Sequence, residues 1–150
     1  MDGHPAIAGR EPLASSVFPL VHIGPIGSFA TVKRANNFLC GVQAASLAEA
    51  VALFEKHGLD VGQAMSILFD GAPASPIVKG VGRRMLDRDY APHLLMPLMA
   101  KDLGYAAQAL ADTCIRSSIA TAARQYFLDA DAAGEGLRDI TAIVEPLRKA

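Results

Sequence analysis

From Ser28 to His57 the chain runs without a proline, and the apolar residues Val32, Leu39, Val42, Leu47, Ala50, Val51 and Phe54 recur near the three, four and seven residue spacings of one helical face. The stretch predicts a single long helix. Gly24, Pro25 and Gly27 mark its start, with Ser28 as the expected N-cap, and Lys56, His57 and Gly58 mark its end. At 1.5 Å per residue it would extend about 45 Å, more than a compact domain of this size needs, so it is expected to cross a domain or subunit boundary.

The remainder also reads as helix. Asp60 is an N-cap for a short helix through Val61, Ala64, Met65, Leu68 and Phe69, which stops before Gly71, Pro73 and Pro76. A third helix is expected from about Ile77 to Leu86 and a connection from Asp87 to Pro97. A fourth then runs to about Asp112, and a fifth from near Ser117 to Ala133, ended by Gly134 and Gly136. Asp139 caps a last helix running toward Lys149, its final turn weakened by Pro146. Val17 to Ile23 is the one segment that could form a strand, and residues 1–16 read as a loose tail. The predicted fold class is all-α.

Composition narrows the function classes. The 150 residues are 51% hydrophobic and 19% charged, enough for a buried core and unlike a disordered chain. Fourteen basic and fifteen acidic residues, without a block of like charge, give a net charge of −1, which argues against binding to nucleic acid or anionic lipid. Cys40 and Cys114 have no further Cys or His at ligand spacing, so no metal site is expected. Both are read as small core hydrophobes in a reducing, cytoplasmic setting. No segment reads as a targeting signal or a membrane span.

Polar residues that interrupt the apolar pattern are the candidates for chemistry. Lys33 and Asn37 lie four apart on one face of the long helix, which continues through Cys40 or Gly41, Ala44 and Ala48. Those small residues would let another body approach closely. A lysine near the positive end of the helix dipole, and partly buried, is driven toward its neutral form, as proton exchange with a hydroxyl requires. Asn37 carries both a donor and an acceptor with which to hold the lysine and a substrate oxygen in register. On spacing alone, such a pair is more often a solvated helix edge. Lys101-Asp102 is a second polar interruption, and its two side chains point about 100° apart toward different partners.

Around these residues stand several further motifs. They are His22-Ile23-Gly24-Pro25-Ile26-Gly27-Ser28, Asn36-Asn37, Ala48-Glu49-Ala50, His57-Gly58-Leu59-Asp60, Gly82-Arg83-Arg84-Met85-Leu86, Leu98-Met99-Ala100-Lys101-Asp102-Leu103 and Asp139-Ile140-Thr141-Ala142. In their joint order and spacing, over about Val21 to Val144, the chain resembles the C-terminal helical domain of the β-hydroxyacid dehydrogenases, the family of 3-hydroxyisobutyrate dehydrogenase and tartronate semialdehyde reductase. The resemblance implies a multihelical fold like the C-terminal domain of 6-phosphogluconate dehydrogenase. It further implies oxidation of a small hydroxy acid with NAD or NADP and assembly as a homodimer or larger oligomer. It makes Lys33 the proton-transfer residue, Asn37 a substrate-positioning residue, and Lys101 a neighbour of both substrate and nicotinamide.

Departures from the resemblance are equally specific. Phe29 stands where the family usually has glycine, Arg34 where an apolar residue is common, and His93-Leu94 where a glycine and an aromatic residue often form a wall of the substrate pocket. A dinucleotide-binding G-x-G-x-x-G turn is not found in the chain, so the cofactor is expected to be gripped by a separate Rossmann domain, where the resemblance also places the loop that holds the substrate carboxylate. The organisation expected is a poorly matching tail over 1–20 and a helical catalytic or dimerisation domain over 21–150. A non-catalytic oligomerisation module and a small-molecule-binding helical bundle are the alternatives.

Overall fold

The computed structural model describes residues 23–150. The tail expected over residues 1–20, and the strand expected from Val17 except for its last residue, lie outside the described residues; Ile23 is not in a strand. The described chain is all-α. Its helices are α1 (Ser28–Lys56), α2 (Val61–Asp70), α3 (Pro76–Asp87), α4 (Met96–Asp112), α5 (Ser118–Ala130) and α6 (Val144–Lys149). A π-type turn over Asp131–Glu135 extends α5, and a 3-10 turn over Ile140–Ile143 leads into α6.

α1 is the central element and touches every other α-helix. Its buried residues are Gly41, Ala44, Ala45, Leu47, Ala48, Val51 and Ala52, all in the C-terminal part. Gly41 lies so close to α4 that a Cβ there would sit 3.0 Å from Leu103 and from Met99 Sδ. The small-residue face therefore admits a neighbouring helix of the same chain. In contrast, residues 29–36 are exposed. By length and composition α1 could cross a bilayer. Its packing as the core helix accounts for the apolar residues of its C-terminal part.

Local signals explain most boundaries. Asp60 accepts the Gln63 N–H at 2.9 Å and Ser75 accepts that of Val78 at 3.1 Å, so both act as side-chain N-caps. Pro76 occupies the first turn of α3, where its missing N–H costs nothing. Ser28 is a correction: it lies inside the helix, and left-handed Gly27 (φ 97°) holds the cap position. The Ser28 hydroxyl instead donates to the Pro25 carbonyl at 2.8 Å. Cys114 is a second correction, since it sits beyond α4 with φ 59° and is exposed, while Cys40 is half-buried as expected of a small apolar filler.

Two polar knots close the bundle. Asp139, almost fully buried, accepts the N–H groups of His93 and Leu94 at 2.9 Å each and that of Thr141 at 3.1 Å, and it pairs with Arg84 at 2.9 Å. Burial alone would raise its carboxyl pKa, but those N–H donors outweigh it and hold it low. In the second knot Arg148 of α6 donates to Glu55 of α1 at 2.7 Å, to Glu145 at 2.6 Å, to the Tyr90 hydroxyl at 2.8 Å and to the Met85 carbonyl at 3.2 Å. Tyr90 in turn donates to Glu145. Burial first, and the bond to Glu145 second, push the Tyr90 phenol up to about 12.

A folded pKa above the ordinary 10 means that the stabilisation is complete below about pH 10 and is lost as pH rises toward 12. Chemical denaturation across that range should cost the protein about 1 kcal/mol more than it costs Tyr90→Phe, allowing for solvent screening of the half-buried ring. Identical alkaline limbs in the two proteins would contradict this.

Candidate functional site

The exposed end of α1 and the middle of α4 form a cleft of about 250 Å³ lined by Ala30, Lys33, Arg34, Asn37, Asp102 and Tyr105. Helical periodicity brings these residues together. Ala30, Lys33, Arg34 and Asn37 are spaced at three and four along α1, as are Asp102 and Tyr105 along α4. The two helices run antiparallel, with Asn37 opposite Asp102 and Gly41 opposite Met99 and Leu103.

Asn37 is held in place. Its amide Nδ2 donates to Asp102 Oδ2 at 2.8 Å, and its Oδ1 accepts from Asn36 Nδ2 at 3.3 Å. A side-chain amide has two N–H donors and two lone pairs, so one of each remains for a third group. Lys33 is exposed, and it makes no ion pair among the described residues.

Lys33 and Asn37 thus share one cleft. Lys101 does not line it: the side chain lies about 100° around α4 from Asp102 and is exposed. Asp102, whose role sequence reasoning missed, is the residue of that pair that meets α1. Its signal was its three-residue spacing to Tyr105. His93 and Leu94, expected as a wall of the substrate pocket, line a different cleft with Arg84 and Asp139. Phe29 does not line the cleft of Lys33 and is 54% exposed.

Residues 27–147 match a family model described as the NAD-binding domain of NADP-dependent 3-hydroxyisobutyrate dehydrogenase. The chain belongs to this family. Among curated relatives, an L-threonate dehydrogenase of Escherichia coli is 30% identical over 135 residues, covering 90% of this chain and 44% of its own length. A probable mitochondrial 3-hydroxyisobutyrate dehydrogenase-like protein of Arabidopsis thaliana is 28% identical, covering 93% of this chain and 42% of its own. The chain therefore spans less than half the length of these relatives.

Solved structures agree with the fold. A 3-hydroxyisobutyrate dehydrogenase from Salmonella typhimurium superposes with a TM-score of 0.75 and 28% identity, covering 78% of this chain and 41% of that one. A Mycobacterium tuberculosis 3-hydroxyisobutyrate dehydrogenase, solved with L-serine, gives 0.75 and 27%, covering 85% and 46%.

Membership brings NAD or NADP use at the level of the family. The cleft's volume lies below the roughly 300–1,000 Å³ of drug-sized ligand sites, which is room for a small polar molecule. Its donors, Lys33, Arg34 and Asn37, suit an anion and a hydroxyl.

The Asn37 to Asp102 bond is the first thing to perturb. Asp102→Ala should cost about 1 kcal/mol in denaturant unfolding, because the half-buried amide loses its acceptor, and should shift the Asn37 side-chain amide resonances. Unchanged resonances would show that the bond does not form in solution.

Proposed function

We propose that this chain is the helical catalytic and oligomerisation domain of an NAD(P)-dependent 3-hydroxyacid dehydrogenase, with Lys33 as the proton-transfer residue. The observation that carries the reading is the placement of Lys33 and Asn37 in one cleft, with Asn37 already oriented by Asp102. In this reading the substrate hydroxyl binds between the lysine Nζ and the free N–H and lone pair of Asn37. Nζ takes the hydroxyl proton as the carbinol carbon is oxidised. The nicotinamide, when bound, supplies the hydride acceptor. Lys101 lies outside the cleft and would serve substrate or cofactor only from its rim.

The dinucleotide is held by a Rossmann domain, in the same polypeptide or a separate one. The relatives named for L-threonate and 3-hydroxyisobutyrate, and the neighbour solved with L-serine, support a small hydroxy acid as the substrate class. Homo-oligomers are part of the proposal, because Val32 and Leu39 are large apolar residues exposed on α1. The proposed setting is soluble and cytoplasmic, in keeping with two unpaired thiols at Cys40 and Cys114, and requires no nucleic acid, membrane or metal. A merely structural oligomerisation module is the competing account.

Fusion of a family Rossmann domain ahead of the helical domain tests the catalytic reading. The fusion should oxidise a 3-hydroxy acid, and Lys33→Ala should lower the rate by ~10²–10⁴, whereas loss of a solvated surface lysine would change it less than about twofold. Phe29→Gly should raise the rate if the ring crowds the site. A folded, cofactor-binding fusion that is inactive with either residue at position 29 would favour the oligomerisation module. Sedimentation of the chain at tens of micromolar should show a dimer or larger species, and a clean monomer would remove the oligomeric part.

A further inference from the structure

We propose that Tyr105 is a specificity-determining residue of the cleft, bonding a second oxygen of the substrate, so that the hydroxy acid preferred is one with a further hydroxyl beside the reacting carbinol and not an alkyl branch there. The inference rests on the reading of the Lys33 cleft as the substrate cleft. Tyr105 lines that cleft from α4, one turn beyond Asp102. The antiparallel register that sets Asn37 opposite Asp102 carries Tyr105 toward the turn of Lys33.

The chain has three tyrosines, and Tyr105 is placed unlike the other two. Tyr90 and Tyr126 lay their rings against the core and donate their hydroxyls to Glu145 and Glu49. Tyr105 does neither: it is 56% exposed, its ring lies outside the core cluster, and its hydroxyl has no partner among the described residues. Water satisfies that hydroxyl while the cleft is open. A ligand seated in the cleft takes the water away, and a phenol then left without a partner is costly, so the ligand favoured is one whose own atoms replace the lost bonds. A phenol donates one hydrogen bond and accepts another, as a second hydroxyl on the substrate requires, whereas a methyl group offers neither. With the reacting hydroxyl between Lys33 and Asn37, and the carboxylate expected to be held from the Rossmann side, the remaining substituent of a small acid is the part left to meet Tyr105.

The test uses isotopically labelled full chain, with the backbone amides of residues 30–37 and 102–105 followed by NMR during titration. The two probes, glycerate and 3-hydroxyisobutyrate, are near-isosteres that differ in a hydroxyl against a methyl on the carbon next to the carboxylate. Glycerate should bind about fivefold more tightly, the discrimination that one neutral hydrogen bond gives in a cleft open to water. Tyr105→Phe should remove that preference by weakening glycerate while leaving 3-hydroxyisobutyrate bound as before. Because the residue is exposed and phenylalanine keeps the ring, the variant should fold, which thermal unfolding checks.

Equal binding of the two acids, a preference that survives Tyr105→Phe, equal weakening of both acids by that substitution, as a bond to the shared carboxylate would give, or no amide shift with either acid would overturn the proposal. Lys33→Ala separates it from the catalytic reading. A glycerate preference that depends on Tyr105, with both acids bound by Lys33→Ala as tightly as before, would keep Tyr105 as the selecting residue and remove Lys33 from the substrate hydroxyl. Weakening of both acids by Lys33→Ala, with no preference between them, would do the reverse.

Discussion

The close approach of α4 to α1 at Gly41 governs the rest of the molecule. With no Cβ between them, Leu103 and Met99 of α4 come against the α1 backbone, and the buried alanines Ala44, Ala45 and Ala48 continue the seam. One turn toward the N-terminus the same pair of helices places Asn37 opposite Asp102, so the polar contact inherits its register from the apolar one. A larger residue at position 41 would have to displace side chains packed to near-crystalline density, and the displacement would be passed on to the cleft. Packing and site are thus consecutive turns of one helix pair.

The second constraint is how the chain returns to α1 after α5. The connections around Tyr90 and Asp139 would expose backbone N–H groups to an apolar interior if nothing received them. Asp139 receives three, and its charge is balanced by Arg84. Arg148 performs the matching task next to it, binding α1, α3 and α6 through Glu55, the Met85 carbonyl and Glu145. Removing one member of such a set leaves a buried charge uncompensated, which is usually worse than removing the pair.

Much of this architecture was legible in the sequence because the signals are local. The proline-free apolar period of α1, the caps at Asp60 and Asp139, and the break after α5 at Gly134 each depend on a few neighbouring residues. Ser28 misled because a glycine one residue earlier can take the left-handed cap conformation, leaving the serine hydroxyl to bond the Pro25 carbonyl. Cys114 misled because an apolar neighbourhood does not reveal a helix end, and the chain turns left-handed there. Lys33 and Asn37 were visible as a helical pair. The contact of Asn37 with Asp102 was not, since it joins residues 65 apart and depends on how α1 and α4 cross. Several motifs that carried the resemblance proved to belong to the scaffold. Gly82, for example, sits where a Cβ would come within 2.6 Å of Met65, and Glu49 is the acceptor for the Tyr126 hydroxyl.

Charge pairing separates the two ends of α1. Around its buried part, Glu55, Glu135, Asp139 and Glu145 are matched to Arg84, Arg138, Arg148 and Lys149, as burial demands, because an unpaired charge in the interior costs several kcal/mol. At the exposed end the demand lapses: Lys33 and Arg34 follow one another and lack a carboxylate partner among the described residues. Adjacent like charges near a helix N-terminus stand against the dipole and bring no packing in return, so they slightly oppose the helix that carries them. Asn37 shows that the place is nonetheless ordered, since its amide is fixed from both sides one turn away. Folding this bundle does not require a cleft that sets a fixed amide and one carboxylate beside two adjacent cations.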